Sequence, residues 1–158
     1  MKNTPTDPVP ILQELIRCPS VTPNEGGALT ALEKLLKPLG FACERLKFAE
    51  VDNLFARIGS GAPHFCFAGH TDVVPEGDPA IWSHAPFAAD IADGFIYGRG
   101  ACDMKGSVAA FAGAVIDYLK STPKLRGSIS FLITGDEEGP ALNGTVKVLE
   151  WMKADGQL

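Results

Sequence analysis

The stretch HFCFAGHTDVVP, residues 64–75, runs from apolar residues into a glycine, a histidine and then an aspartate two positions later. Its first part, His64 to Ala68, reads as a buried strand, and the breaker Gly59–Pro63 marks where it starts. In an extended segment positions i and i+2 share a face, so Asp72 can orient the imidazole of His70. That pairing is a common support for a zinc-bound histidine, since it fixes the tautomer and raises the basicity. Plainer readings stand beside it: a turn-forming cap for Asp72 and a hydrogen-bonded structural histidine for His70.

Two other segments have the same form. GRGACDMKG, residues 98–106, follows the apolar run Ile91–Tyr97, and GDEEG, residues 135–139, follows Ser128–Thr134. Together the three put His70, Asp72, Asp103, Glu137 and Glu138 at turn-like positions after apparent strands. The expectation is that all three converge at one sheet edge. A nitrogen ligand, a carboxylate able to bridge and two adjacent carboxylates are what a two-metal hydrolytic centre needs. Asp103 lies between a glycine-rich turn and an apparent helix, where an ordinary N-cap would also sit. Asp136, Glu137 and Glu138 could equally form a solvated acidic turn, because adjacent acids repel unless solvated or bound to cations. In the functional reading one glutamate holds a metal and the other stands beside its water as general base.

Competing chemistries are poorly supported. There is no HExxH, no GxSxG and no paired Cys/His zinc pattern, and Lys105 precedes Gly106, which breaks the phosphate-loop pattern. Cys102 has no histidine partner nearby in sequence, and its neighbour Asp103 disfavours a thiolate. His64 reads as a strand or edge residue and His84 as a loop residue; neither is assigned as a ligand.

Working outward, Val9–Cys18 reads as a short helix with Pro10 in its first turn. From Glu25, Ala28, Leu32, Leu35, Leu36 and Leu39 recur at helical spacing until Gly40 stops them. Phe41–Phe48 and Asn53–Ile58 read as strands, residues 74–86 as an ordered surface loop, and Ile91–Tyr97 as a hairpin turning at Asp93-Gly94. Gly106–Lys120 reads as a long helix, Ser128–Thr134 as a strand and Thr145–Ala154 as a helix. Helices alternating with apolar strands predict a layered α/β domain.

A chain of 158 residues, 46% hydrophobic and 21% charged, is expected to form one globular domain. Its net charge of −5 offers no general attraction to nucleic acid or to an anionic membrane. The four cysteines, Cys18, Cys43, Cys66 and Cys102, are scattered, with Cys66 expected in the core. No apolar stretch has signal-peptide or membrane-spanning length, so a reduced, cytoplasmic location is expected.

Taken jointly, GHTDVVP, YGRGACDMKG and TGDEEG resemble, in order, the motifs of the di-zinc aminoacylase and carboxypeptidase superfamily. GHTDVVPEGD, WSHAPF at residues 82–87, DGFIYGRGACDMKGSVAAF and GDEEGPALNGT further resemble its succinyl-diaminopimelate desuccinylase family. The resemblance implies a three-layer αβα metallopeptidase-like catalytic domain with a mixed central sheet. It implies that His70 binds the first zinc, Asp103 bridges both, Glu138 binds the second, Glu137 is the general acid/base and Asp72 supports His70. A cis peptide at Asp103–Met104 is implied as well.

The implied reaction is hydrolysis of N-succinyl-LL-2,6-diaminopimelate to succinate and LL-2,6-diaminopimelate, a step of lysine biosynthesis through diaminopimelate. Two Zn2+ ions would serve the site, Co2+ being able to replace them. The partner is a small N-succinyl amino acid, and the complete enzyme is expected to be a homodimer. The family also places a further acidic ligand, a distant C-terminal histidine and a lid and dimerisation domain at positions that have no counterpart here. Residues 1–158 are therefore expected to be the N-terminal part of the catalytic domain, incomplete at its C-terminal side, with weak zinc binding and little or no turnover alone. A related deacylase acting on N-acetylornithine, and a non-catalytic cation-binding or interaction module, remain as alternatives.

Overall fold

In a computed structural model that describes residues 4–122 and 124–158, the apolar runs become a four-stranded mixed sheet with helices on both faces. The strands are β1 (Ala42–Phe48), β2 (Val51–Ile58), β3 (His64–His70) and β6 (Ser128–Thr134), in the spatial order β1-β2-β6-β3. β1 with β2 and β2 with β6 run antiparallel, whereas β3 and β6 are parallel, with His70 opposite Thr134. Helices α1 (Val9–Ile16), α2 (Ala28–Leu36) and α3 (Gly106–Ser121) cover one face, and α4 (Thr145–Ala154) covers the other. This is the layered αβα arrangement the resemblance implies.

Alternation along the two central strands divides their side chains between the layers. Leu54, Ala56, Phe131 and Ile133 pack with Leu29, Leu32, Val108 and Ala112 of the helices. Phe55 and Leu132 meet Val148 and Met152 of α4. Both faces being covered, β2 and β6 each carry an unbroken apolar centre, Leu54–Ala56 and Phe131–Ile133. Phe131 is fully buried at the centre, its ring 4.7 Å from that of Phe111 and edge-on to Phe41 at 5.6 Å.

Several boundaries shift from the sequence reading. α1 ends at Ile16, and α2 starts at Ala28, with a separate tight turn at Lys37–Leu39 before Gly40. β1 starts at Ala42, β2 at Val51 rather than Asn53, and β3 continues to His70. Two corrections matter more. The run at 64–68 is not a buried strand: β3 is a sheet edge, Phe65 is 59% exposed, and Cys66 lies in solvent instead of the core. Cys66 and Ala68 face the α4 side, where α4 reaches β2 and β6 but leaves β3 uncovered. The hairpin also does not join the central sheet. β4 (Asp90–Ala92) and β5 (Phe95–Tyr97) pair only with each other. All four cysteines are free, and no described helix is long and apolar enough to cross a membrane.

Phe131→Ala would leave a cavity between Phe41, Phe67 and Phe111, and is expected to lower unfolding stability by about 3–5 kcal/mol. Urea denaturation should show a lower midpoint with an unchanged slope. A loss below about 1 kcal/mol would place Phe131 outside the core.

Candidate metal centre

Parallel pairing puts the C-terminal ends of β3 and β6 at the same edge, and the sequences GHTD and GDEEG leave the sheet there side by side. The third segment arrives by a different route from the one the sequence suggested. Because the hairpin stands apart, Asp103 is carried by the turn Ala101–Lys105 that opens α3. α3 is the crossover between the parallel strands β3 and β6, so its start lies at that same strand edge.

Gly100 makes the turn possible. Its φ is +78°, and a Cβ there would lie 2.6 Å from Cγ1 of Val73. Asp103 and Met104 leave helical geometry inside the turn, and the Asp103–Met104 peptide is cis, as the resemblance implies. Asp103 does not cap α3. Its side chain is 73% exposed and turns toward His70, whose Nε2 is 3.1 Å from Oδ1 of Asp103.

One ligand atom each from His70, Asp103 and Glu138 lies within 4.8 Å of the other two. Glu137 stands beside them, its Oε2 3.7 Å from Nε2 of His70. His70, Asp103 and Glu137 border an open cleft of about 330 Å³ that also touches Gly69, Met104, Thr134 and Thr145. Three of the five residues read from the sequence thus line one cleft, Glu138 reaches the same cluster with a ligand atom, and Asp72 is buried behind His70.

Asp72 supports His70 through its backbone as well as through the carboxylate pairing expected. The closer partner of Nδ1 is the Asp72 backbone carbonyl at 3.0 Å; the carboxylate Oδ1 is 3.5 Å away. A neutral imidazole donating from Nδ1 keeps its lone pair on Nε2, the atom that faces Asp103 and Glu137. The other carboxylate oxygen, Oδ2, accepts from the backbone N–H of Glu138 at 3.0 Å. Asp72 therefore ties the histidine segment to the glutamate loop. Its Oδ1 is buried 3.5 Å from Nδ1, a negative charge aimed at the imidazole.

Burial by itself would lower the pKa of His70. Hydrogen bonds to Asp72, with the charges of Asp72 and Glu137, outweigh it and raise the value to about 9. Glu138 is also raised, first by burial and then by the negative charge of Asp103. Both shifts describe a site crowded with negative charge, one that a divalent cation would relieve. A hard or borderline cation suits one imidazole nitrogen and several carboxylate oxygens, so the donor set fits the group the resemblance implies.

Two contributors escaped the sequence reading. Lys105 is wholly buried, and its Nζ donates to the carbonyl of Cys18 at 2.9 Å. Burial brings its pKa down to about 8 against the opposing charges of Cys18 and Asp72. Ser20, two residues beyond Cys18, bonds through Oγ to the Thr71 carbonyl and accepts from the Val73 N–H. Lys105 thereby braces the histidine segment from the Asp103 turn. Asp136, expected as part of a repelling acidic cluster, is instead buried and accepts from the Asn143 N–H at 2.8 Å. The signal for Lys105 was its place between the glycine-rich turn and an apolar helix; nothing local marked Asp136.

The sequence profile of Peptidase family M20/M25/M40 matches residues 66–158, and the chain belongs to that family. Among solved structures, an M20 family metallo-carboxypeptidase from Sulfolobus solfataricus superposes with a TM-score of 0.79 at 26% identity. That match covers 96% of this chain and 35% of the other. Human carnosine dipeptidase 1 gives 0.72 at 26% identity, covering 92% and 35%. A dinuclear metal-binding M20 peptidase from Bacillus subtilis, at 22% identity, shares the fold with a TM-score of 0.65, covering 94% and 39%. The chain thus spans little more than a third of the length of these proteins.

A histidine whose folded-state pKa lies above its unfolded value adds stability that is complete below about 6.5 and is lost as pH rises through about 9. Metal-free wild type should therefore exceed His70→Gln in urea midpoint at about pH 6 and lose that advantage by about pH 10. An advantage that grows with pH would contradict the raised value.

Proposed function

We propose that these residues form part of the catalytic centre of a metal-dependent amide hydrolase of the desuccinylase kind. The substrate is N-succinyl-LL-2,6-diaminopimelate, the products are succinate and LL-2,6-diaminopimelate, and the process served is lysine biosynthesis. The observation that carries the reading is the meeting of His70, Asp103 and Glu138 within 4.8 Å, with Glu137 beside them. Membership of a peptidase family supports amide hydrolysis as the reaction class. The motifs around residues 69–78 and 82–87 favour the N-succinyl amino acid.

His70 and Asp103 would hold one ion and Asp103 and Glu138 a second, with Zn2+ the proposed metal and Co2+ a substitute. Such ions, when bound, polarise a scissile carbonyl and lower the pKa of water. Glu137 takes the proton of the attacking water and later delivers it to the departing amine. Its exposure in the cleft, beside His70, leaves it free to move that proton. Asp72 keeps Nε2 of His70 facing the centre. Because the chain spans 35–39% of the solved relatives named above, turnover is proposed for a catalytic domain of which these residues form one part. The other roles proposed for the whole enzyme are a homodimeric assembly and a cytoplasmic location.

The solved relatives are named as a carboxypeptidase and a dipeptidase, so a substrate panel decides within the class. Turnover should be fastest on N-succinyl-LL-2,6-diaminopimelate, ahead of N-acetylornithine and of dipeptides. Faster cleavage of either competitor would move the assignment to that substrate.

Calorimetric titration separates the roles of the side chains. Asp103→Ala is expected to weaken Zn2+ binding at least about tenfold, whereas Glu137→Gln should leave it within about twofold. In the complete enzyme Glu137→Gln should lower kcat by about 10²–10⁴ with little change in KM. Equal metal affinity in wild type and Asp103→Ala would remove the centre.

A further inference from the structure

Among the buried polar groups that the proposed reaction does not use, Asn53 stands out. It sits in β2 next to Leu54, Phe55 and Ala56, and it is fully buried. Its side chain bonds backbone groups at both ends of one loop and one carbonyl of β1. Nδ2 donates to the carbonyl of Asn143 at 3.0 Å and to that of Leu46 at 3.2 Å, and Oδ1 accepts from the N–H of Gly135 at 3.4 Å. Gly135 and Asn143 bracket the segment 135–144 that carries Glu137 and Glu138.

We propose that Asn53 is a positioning residue for the Glu137–Glu138 pair, clamping both ends of their loop to the neighbouring strand. The proposal rests on the hydrolase reading only in taking that pair as functional. The loop has no slack toward β2, since a Cβ on Gly135 would lie 2.6 Å from the Asp52 carbonyl. Inside it, Asp136 accepts from the Asn143 N–H at 2.8 Å through Oδ2, and its own N–H reaches Oγ1 of Thr134 at 3.2 Å. At its outer side, the Glu138 N–H donates to Oδ2 of Asp72 at 3.0 Å. The two glutamates are therefore strung between the Asn53 clamp and the residue that supports His70.

The chemistry of the clamp is specific to asparagine. One planar group at fixed reach must give two N–H donors to carbonyls and one oxygen to an amide. Aspartate has no donor, leucine has neither function, and glutamine is one methylene too long.

The test uses the full 158-residue chain with Asn53→Asp and Asn53→Leu. Amide hydrogen exchange is followed without metal, and Co2+ affinity by optical titration. The Glu138 amide should exchange at least tenfold faster in both variants while Phe131 and Val108 keep their protection. Co2+ affinity should fall about tenfold, the size expected for a residue that orients a ligand without touching the metal. In a Glu138→Gln background the same Asn53 substitution should change affinity less than twofold, because its effect passes through that side chain.

If the Asn53 variants do not fold, Asp136→Ala opens the loop from within and carries the same expectations. Unchanged exchange at Glu138, or an affinity loss that recurs in full with Glu138→Gln, would reduce Asn53 to an ordinary strand residue. Should wild type bind no Co2+, the metal reading falls, and the exchange result alone decides for or against the clamp.

Discussion

The parallel pairing of β3 with β6 is the constraint on which the rest of the site depends. Parallel strands end at the same edge and need a crossover between them. That single fact places His70 beside the GDEEG loop and brings the start of α3, with Asp103, to the same place. Residues 67 positions apart, His70 and Glu137, come within 3.7 Å by strand register alone. No local property of any one motif would achieve this.

Around that frame the structure handles negative charge in layers. Asp72 lies at the back, buried and shared between the imidazole and the Glu138 amide. Lys105, the buried cation next to the Asp103 turn, opposes it from below while holding the Cys18 carbonyl. Asp103 and Glu137 lie at the front, exposed to the cleft. A buried carboxylate without compensation is costly, whereas exposed ones are ready to meet a cation. The result is a cleft in which the fixed charges are sheltered and the reactive ones are accessible.

Much of this was legible in the chain. Helical spacing located α2, a stripe of small and apolar residues α3, alternation β2 and an apolar run β6, and the three motifs gave the residues of the site, because those signals are local. What could not be read depended on neighbours. The run 64–68 looks as apolar as β6, yet only α3 covers it and only on one face, so Cys66 is exposed. Ile91–Tyr97 was legible as a hairpin, but its standing apart from the main sheet was not. Asn53 reads as an ordinary strand residue and Asp136 as part of an acidic turn, and only the fold shows them satisfying backbone groups across β2 and the 135–144 loop.

X-ray absorption at the zinc edge of the Zn2+-loaded chain is the most direct measurement of the central claim. The three-loop centre predicts a nitrogen and oxygen shell at about 2.0–2.2 Å with imidazole scattering that disappears in His70→Gln. A sulfur shell near about 2.3 Å, or imidazole scattering that survives the loss of His70, would show that the ion is held elsewhere.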